Sequence, residues 1–131
     1  MIFVDSSFWI ALAIPRDRLH AAAIRLGDSY AEDALMTSNL VCGETWTYLR
    51  RKTGYKFAIE WLDVARSHQL SVERIDRELE SEAWRWLHVH DERPYSFVDA
   101  TSFALMRKLR IEDALAFDGD FGAAGFVELR P

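Results

Sequence analysis

The sequence predicts an α/β sandwich around a mainly parallel sheet of four to five short strands, and three features predict it. Short apolar runs alternate with longer segments of helical period along the chain, the pattern of strands joined by crossover helices. The first run, Ile2, Phe3 and Val4, is apolar without alternation, as a strand covered on both faces is. Two runs end on an acid, Asp5 and Asp118, and in open parallel sheets sites form outside the carboxyl ends of strands.

In chain order, residues 1–4 read as a strand with Asp5 at its end. Ser6 and Ser7 supply N-cap chemistry for a helix carrying Phe8, Trp9, Ile10 and Leu12. Pro15 breaks the chain, and a helix restarts near Asp17 with Leu19, Ala23 and Leu26 on one side. Residues 34–37 (ALMT) form a second strand. Ser38 or Asn39 caps the next helix, NLVCGETWTYLRRK, in which Val41, Glu44 and Tyr48 share a face at spacings of three and four, so that Glu44 points with apolar groups and reads as a buried acid. Gly43 lowers helix propensity there, which points to close approach of another backbone or a ligand. The helix ends in Arg50, Arg51 and Lys52, suited to a C-terminus, and stops at Gly54.

Tyr55–Ser67 is amphipathic through Ala58, Trp61, Leu62 and Ala65, and residues 70–75 form a third strand. Asp76 caps a helix through Leu79, Ala83, Trp86 and Leu87. Residues 91–95 (DERPY) are a loop. A helix then carries Asp99 on one face with Ser102, Phe103 and Met106, and ends between Arg107 and Arg110. Residues 114–117 (ALAF) are a fourth strand with Asp118 at its end, and residues 126–129 a last short one.

The chain has 131 residues, half of them apolar, which is enough for one domain (1–131) with a single core. No apolar run approaches the roughly 20 residues of a membrane helix. MIFVD lacks the basic start of a secretory signal. Cys42 is the one cysteine, so no internal disulfide is available and a reducing cytoplasm is expected. A net charge of −5 argues against a protein that coats nucleic acid, yet is compatible with a nuclease whose metal-binding acids contribute the negative charge.

Four acids occupy pointed positions: Asp5, Glu44, Asp99 and Asp118. Singly, each has a structural role open to it. Asp5 and Asp118 can cap helices, Glu44 can bend back to Arg50 or Arg51 or turn outward, and Asp99 can serve the first turn of its helix. Jointly they would repel and raise one another's pKa, which a divalent cation relieves. Oxygen donors without a Cys/His set point to Mg²⁺ or Mn²⁺. His88 and His90 lack companions at ligand spacing, and His20 and His68 add nothing. Cys42 reads as a small core residue. Trp84 and Trp86 cannot share a helix face, so one of them is a candidate interface residue.

The order VDSS, the helical acid of NLVCGETWTYLRR, SFVDA and the closing AFDGDF resembles the PIN-domain ribonucleases, and within them the VapC toxins of type II toxin–antitoxin systems. The resemblance spans essentially the whole chain and implies a PIN-like α/β/α sandwich. It implies Asp5, Glu44, Asp99 and Asp118 as the catalytic, metal-binding acids, with Asp120 at a variable accessory position and Ser6 and Ser7 supporting the first acid. The implied chemistry is hydrolysis of an RNA phosphodiester. On that resemblance Asp5, Asp99 and Asp118 would hold one or two Mg²⁺ (or Mn²⁺) ions, and Glu44 would ligate the second ion, directly or through water, or orient the attacking water. It further implies an antitoxin of the VapB kind and a homodimer. Arg50, Arg51, Lys52 and Lys56 are either backbone-binding cations or a solvated helix end.

Three rivals differ at particular residues. DGD near Phe117 is reminiscent of the aspartate-nucleophile phosphatases, but it follows the last strands instead of the first. A receiver domain needs a lysine after a late strand, which AFDGD does not offer. A PIN-like module kept only for protein binding would be expected to lose one or more acids, and all four positions are filled.

Overall fold

The computed structural model describes residues 1–67 and 70–131; His68, dismissed above as a ligand, lies outside the described residues. The element order is β1 (Ile2–Val4), α1 (Ser6–Ala13), α2 (His20–Ser29), β2 (Leu35–Ser38), α3 (Asn39–Thr53), α4 (Tyr55–Ser67), β3 (Leu70–Glu73), α5 (Arg77–Val89), α6 (Phe97–Leu109), β4 (Asp113–Leu115), α7 (Asp120–Ala123) and β5 (Val127–Glu128). The strands form one five-stranded sheet in the order β3-β2-β1-β4-β5, and all four pairings are parallel. The chain builds outward from β1 on one side and then returns to pair β4 on the other. That reversal puts the switch point, where ligands bind in such sheets, between the carboxyl ends of β1 and β4.

The three buried residues of β1 divide between two cores by the two-residue period of a strand. Ile2 and Val4 join Phe8, Ala11, Ala23, Leu26 and Leu115 under α1 and α2. Phe3 points the other way, into a cluster with Met36, Val41, Leu79, Phe103, Met106 and Phe121 under α3, α5, α6 and α7. Helices therefore cover both faces, as the unbroken apolar run requires. Phe103 is the hub of the second core, with Trp86 at 5.0 Å and Phe121 at 5.0 Å edge-on, and Phe126 stacked at 5.6 Å. It lies one helical turn after Asp99 on α6, so this packing also fixes where that acid stands.

Several expected boundaries shift by a residue or more, each for a visible reason. The cap of α1 is Asp5 itself, whose Oδ2 accepts from the Ser7 backbone N–H at 3.1 Å; Ser6 and Ser7 are the first helical residues. β3 ends at Glu73 because the Ile75 N–H donates to the Asn39 side chain instead of extending the ladder. β4 ends at Leu115 because the Phe117 N–H donates to the Ser7 hydroxyl. Ser38, Asp76 and Gly54 cap and stop their helices as expected, Gly54 at φ 97°. α7, within the closing AFDGDF and the residues after it, is a helix the sequence reading missed. Cys42 is buried. Trp86 packs against the second core, whereas Trp84 is 54% exposed, which makes it the surface member of the pair.

Candidate active site

Asp5 leaves the end of β1 with its backbone N–H donating to the Leu115 carbonyl at 3.0 Å, so the β1–β4 ladder itself aims the residue. Its side chain is 2% exposed, and Oδ2 also accepts from the Ser7 hydroxyl at 2.7 Å. Asp99 is the third residue of α6 and closes a capping box: its N–H donates to Ser96 Oγ at 2.9 Å, and its Oδ2 accepts from the Ser96 N–H at 3.0 Å. Asp118 follows β4, and its Oδ1 accepts from the Asp120 N–H at 3.1 Å. Between them Gly119 sits at φ 82°, a conformation that favours glycine and turns both acids to one side.

These acids keep a common arrangement. One oxygen of each carboxylate is fixed by the protein, and the other accepts no hydrogen bond from any described residue. One oxygen from each of Asp99, Asp118 and Asp120 lies within 4.8 Å of the others. Asp120 thus joins a cluster in which the sequence left its place open. Asp5 stands close enough for its charge to be felt there. Burial, with the charges of Asp118 and Asp99 adding to it, pushes its carboxyl from the ordinary 3.8 to about 7 despite the Ser7 bonds. Burial likewise raises Asp99 to about 6, with Asp118 and Asp120 adding repulsion. Asp118 is raised by partial desolvation and then by Asp120 and Glu128.

Glu44 departs from expectation in one respect. It is exposed, and the buried face of α3 is Val41, Cys42, Thr45 and Leu49. It neither bends back to Arg50 or Arg51 nor enters the three-carboxylate cluster. Its Oε1 accepts from the Ser6 hydroxyl at 2.5 Å, which ties α3 to the residue next to Asp5. Adjacent serines therefore serve two acids, Ser7 holding Asp5 and Ser6 holding Glu44.

Sequence reasoning missed Arg93. Its local sequence signals only a loop, yet its Nε donates to Asp120 Oδ1 at 2.9 Å and its Nη2 to the Asp118 carbonyl at 3.3 Å. Its partners are 25 and 27 residues away, so no local pattern marks it. The donor set suits a hard divalent cation: Asp5, Asp99 and Asp118 hold their protons abnormally tightly, and each of the four acids presents an oriented free oxygen. A separate cavity of about 540 Å³, lined by Trp9, Leu12, Trp61, Val64 and Leu70, contains none of these acids.

Ser7 should matter for stability through its double role. Ser7→Ala strands the Phe117 N–H and removes a bond that offsets the burial of Asp5. It is expected to cost about 1–3 kcal/mol in urea unfolding. A loss within error of zero would show that the Ser7 bridge does not hold β1 and β4 together.

An all-parallel sheet with an acidic cluster at its switch point is the arrangement of a PIN domain. The PIN domain family matches residues 2–127, and the chain belongs to that family. The chain is 55% identical over 131 residues to the 23S rRNA-specific endonuclease VapC20 of Mycobacterium tuberculosis, in strains CDC 1551 / Oshkosh and H37Rv, covering 100% of this chain and 99% of the relative. A crystal structure of M. tuberculosis VapC20, described as a sarcin-ricin loop cleaving toxin, aligns with a TM-score of 0.95 at 53% identity over 100% of both chains. The fold is thus the PIN-like α/β/α sandwich. Among the described residues no helix is long and apolar enough to cross a membrane.

Proposed function

We propose that this protein is a divalent-metal-dependent endoribonuclease of the VapC class, the toxin of a toxin–antitoxin pair, acting on 23S rRNA. The observation that carries the reading is the set of oriented carboxylates at the β1–β4 switch point, in a chain 55% identical along its length to a 23S rRNA endonuclease. The whole chain, 1–131, works as one PIN domain in the cytoplasm. Its partners are the RNA, an antitoxin of the VapB kind and a second copy of the chain.

Asp5, Asp99 and Asp118, joined by Asp120, would hold Mg²⁺ or Mn²⁺. When bound, such a cation offsets charge building on the phosphate and lowers the pKa of a water. The chain's own contribution is orientation. Ser7, the α6 capping box and the Gly119 turn each fix one carboxylate oxygen, so the free oxygens need no rearrangement when the site is filled. Glu44, held through Oε1 by Ser6, offers Oε2 to accept a proton from the attacking water. Arg93 holds Asp120 in place and puts a positive charge at the edge of an otherwise negative site.

The test is incubation of purified chain with 23S rRNA and with a mixed structured-RNA pool, in Mg²⁺, Mn²⁺ or EDTA. Metal-dependent cuts at one 23S position are expected. Cutting that persists in EDTA would remove the metal from the reading, and uncut 23S rRNA with cuts elsewhere would remove the substrate.

A further inference from the structure

We propose that the groove between α3 and the start of α6 is a nucleobase pocket that seats one unpaired base of the RNA beside the bond to be cut. The proposal rests on the nuclease reading for its substrate, but its observations are separate from the acidic cluster. The groove has a volume of about 560 Å³, and its walls include Gly43, Glu44, Tyr48, Arg51, Phe97 and Val98.

Gly43 is the first sign. It lies inside the fifteen-residue α3, where glycine weakens a helix, and a Cβ built there would meet nothing within 4 Å. Among the described residues no neighbour explains the missing side chain. The open space above it is the groove, so the vacancy serves something that enters from outside.

The aromatic rings are the second. Tyr48 is 37% exposed and shares a stripe of α3 with Glu44 and Arg51 at spacings of four and three. Phe97 faces it from α6 and carries Trp84 stacked on it at 4.3 Å and 25°, itself more than half exposed. An exposed Tyr48 ring on one side of the groove and a half-buried Phe97 ring on the other suit a flat apolar ligand, and every base offers a π-face.

Charge is the third. At the end of the groove away from Glu44, Arg51 is exposed, and the Lys52 ammonium lies 5.8 Å from the Tyr48 ring. In a chain of net charge −5 these cations form a local exception that matches a phosphate. The groove adjoins the acids, because its Glu44 accepts from Ser6, the residue next to Asp5, and its Val98 precedes Asp99. A base held there brings its own phosphate to the acidic cluster.

The experiment compares binding of labelled hexa-adenylate with binding of an equally long abasic ribose-phosphate strand, using the Asp99→Asn protein so that cutting during the measurement is negligible. Hexa-adenylate is expected to bind about tenfold more tightly. Tyr48→Leu in the same background should abolish the preference. Gly43→Leu should abolish it too while leaving the melting temperature unchanged or higher, which separates a filled pocket from a damaged fold. Arg51→Gln should weaken both strands alike. Equal binding of the two strands, or a preference that survives both Tyr48→Leu and Gly43→Leu, would overturn the proposal. So would a groove sealed by a second copy of the chain, seen as no base preference and a dimer that Gly43→Leu dissociates in sedimentation. Wild-type cleavage of 23S rRNA is read separately. Cutting without base preference defeats the pocket alone, and base preference without cutting defeats the nuclease reading alone.

Discussion

Asp99→Asn is expected to slow RNA cleavage about a thousandfold, equivalent to about 4 kcal/mol of lost transition-state stabilisation, while making the metal-free protein more stable at pH 8. The two effects have opposite signs because the residue has two roles. Asparagine has nearly the same shape, keeps a side-chain oxygen to accept from the Ser96 N–H, and leaves the Ser96 hydroxyl free to cap the helix, so α6 starts as before. What disappears is a negative charge that burial, Asp118 and Asp120 all disfavour. Initial rates in Mn²⁺ and melting scans in EDTA measure the two quantities on one preparation. Parallel loss of rate and stability would mean that Asp99 is only a helix cap.

The metal-free protein is also expected to lose stability as pH rises from about 4 to about 7. Asp5 moves from 3.8 in the unfolded chain to about 7 in the fold, and Asp99 from 3.8 to about 6. Between those values the folded state binds more protons than the unfolded one. Its stability is therefore full below the unfolded pKa and declines through the folded pKa. For Asp5 alone the ceiling is about 4 kcal/mol. Saturating Mn²⁺ should reverse the trend, since it binds the ionised carboxylates; about a hundredfold excess over its dissociation constant contributes about 2.7 kcal/mol at the alkaline end. Urea unfolding across pH, with EDTA and with Mn²⁺, reads this directly. The differences between wild type and Asp5→Asn or Asp99→Asn isolate the two groups from the histidines. If wild type and Asp5→Asn give the same pH profile in EDTA, burial does not hold a proton on Asp5.

The elements were legible because each carries a local signal. Apolar runs mark the strands, and Ser38, Asp76 and Gly54 mark helix ends by chemistry confined to a few residues. The boundaries that moved were decided by partners far along the chain. Asn39 ends β3 from 36 residues away, and Ser7 ends β4 from 110. No local pattern carries that information.

Of the acids, Asp5, Asp99 and Asp118 were legible as a group because each stands at a strand end or on an apolar helix face, where an unpartnered charge is costly. Glu44, whose spacing predicts burial, is exposed. Its spacing with Val41 and Tyr48 is helical, but the stripe divides: Glu44 and Tyr48 turn toward the groove, whereas Val41 joins Cys42, Thr45 and Leu49 on the buried face.

By itself, then, the sequence determined the alternating order of elements, the two-sided burial of β1 and the types of residue available for chemistry. These follow from periodicity and from the cost of burying charge, which act over a few residues. Only the tertiary structure decided which side chains meet. It brought Arg93 to Asp120, divided Ser6 and Ser7 between two acids, raised Asp5 and Asp99 by burial, and left Gly43 facing an open groove. The reason is physical: contacts and desolvation depend on distances across the sheet, which the packing of both cores sets.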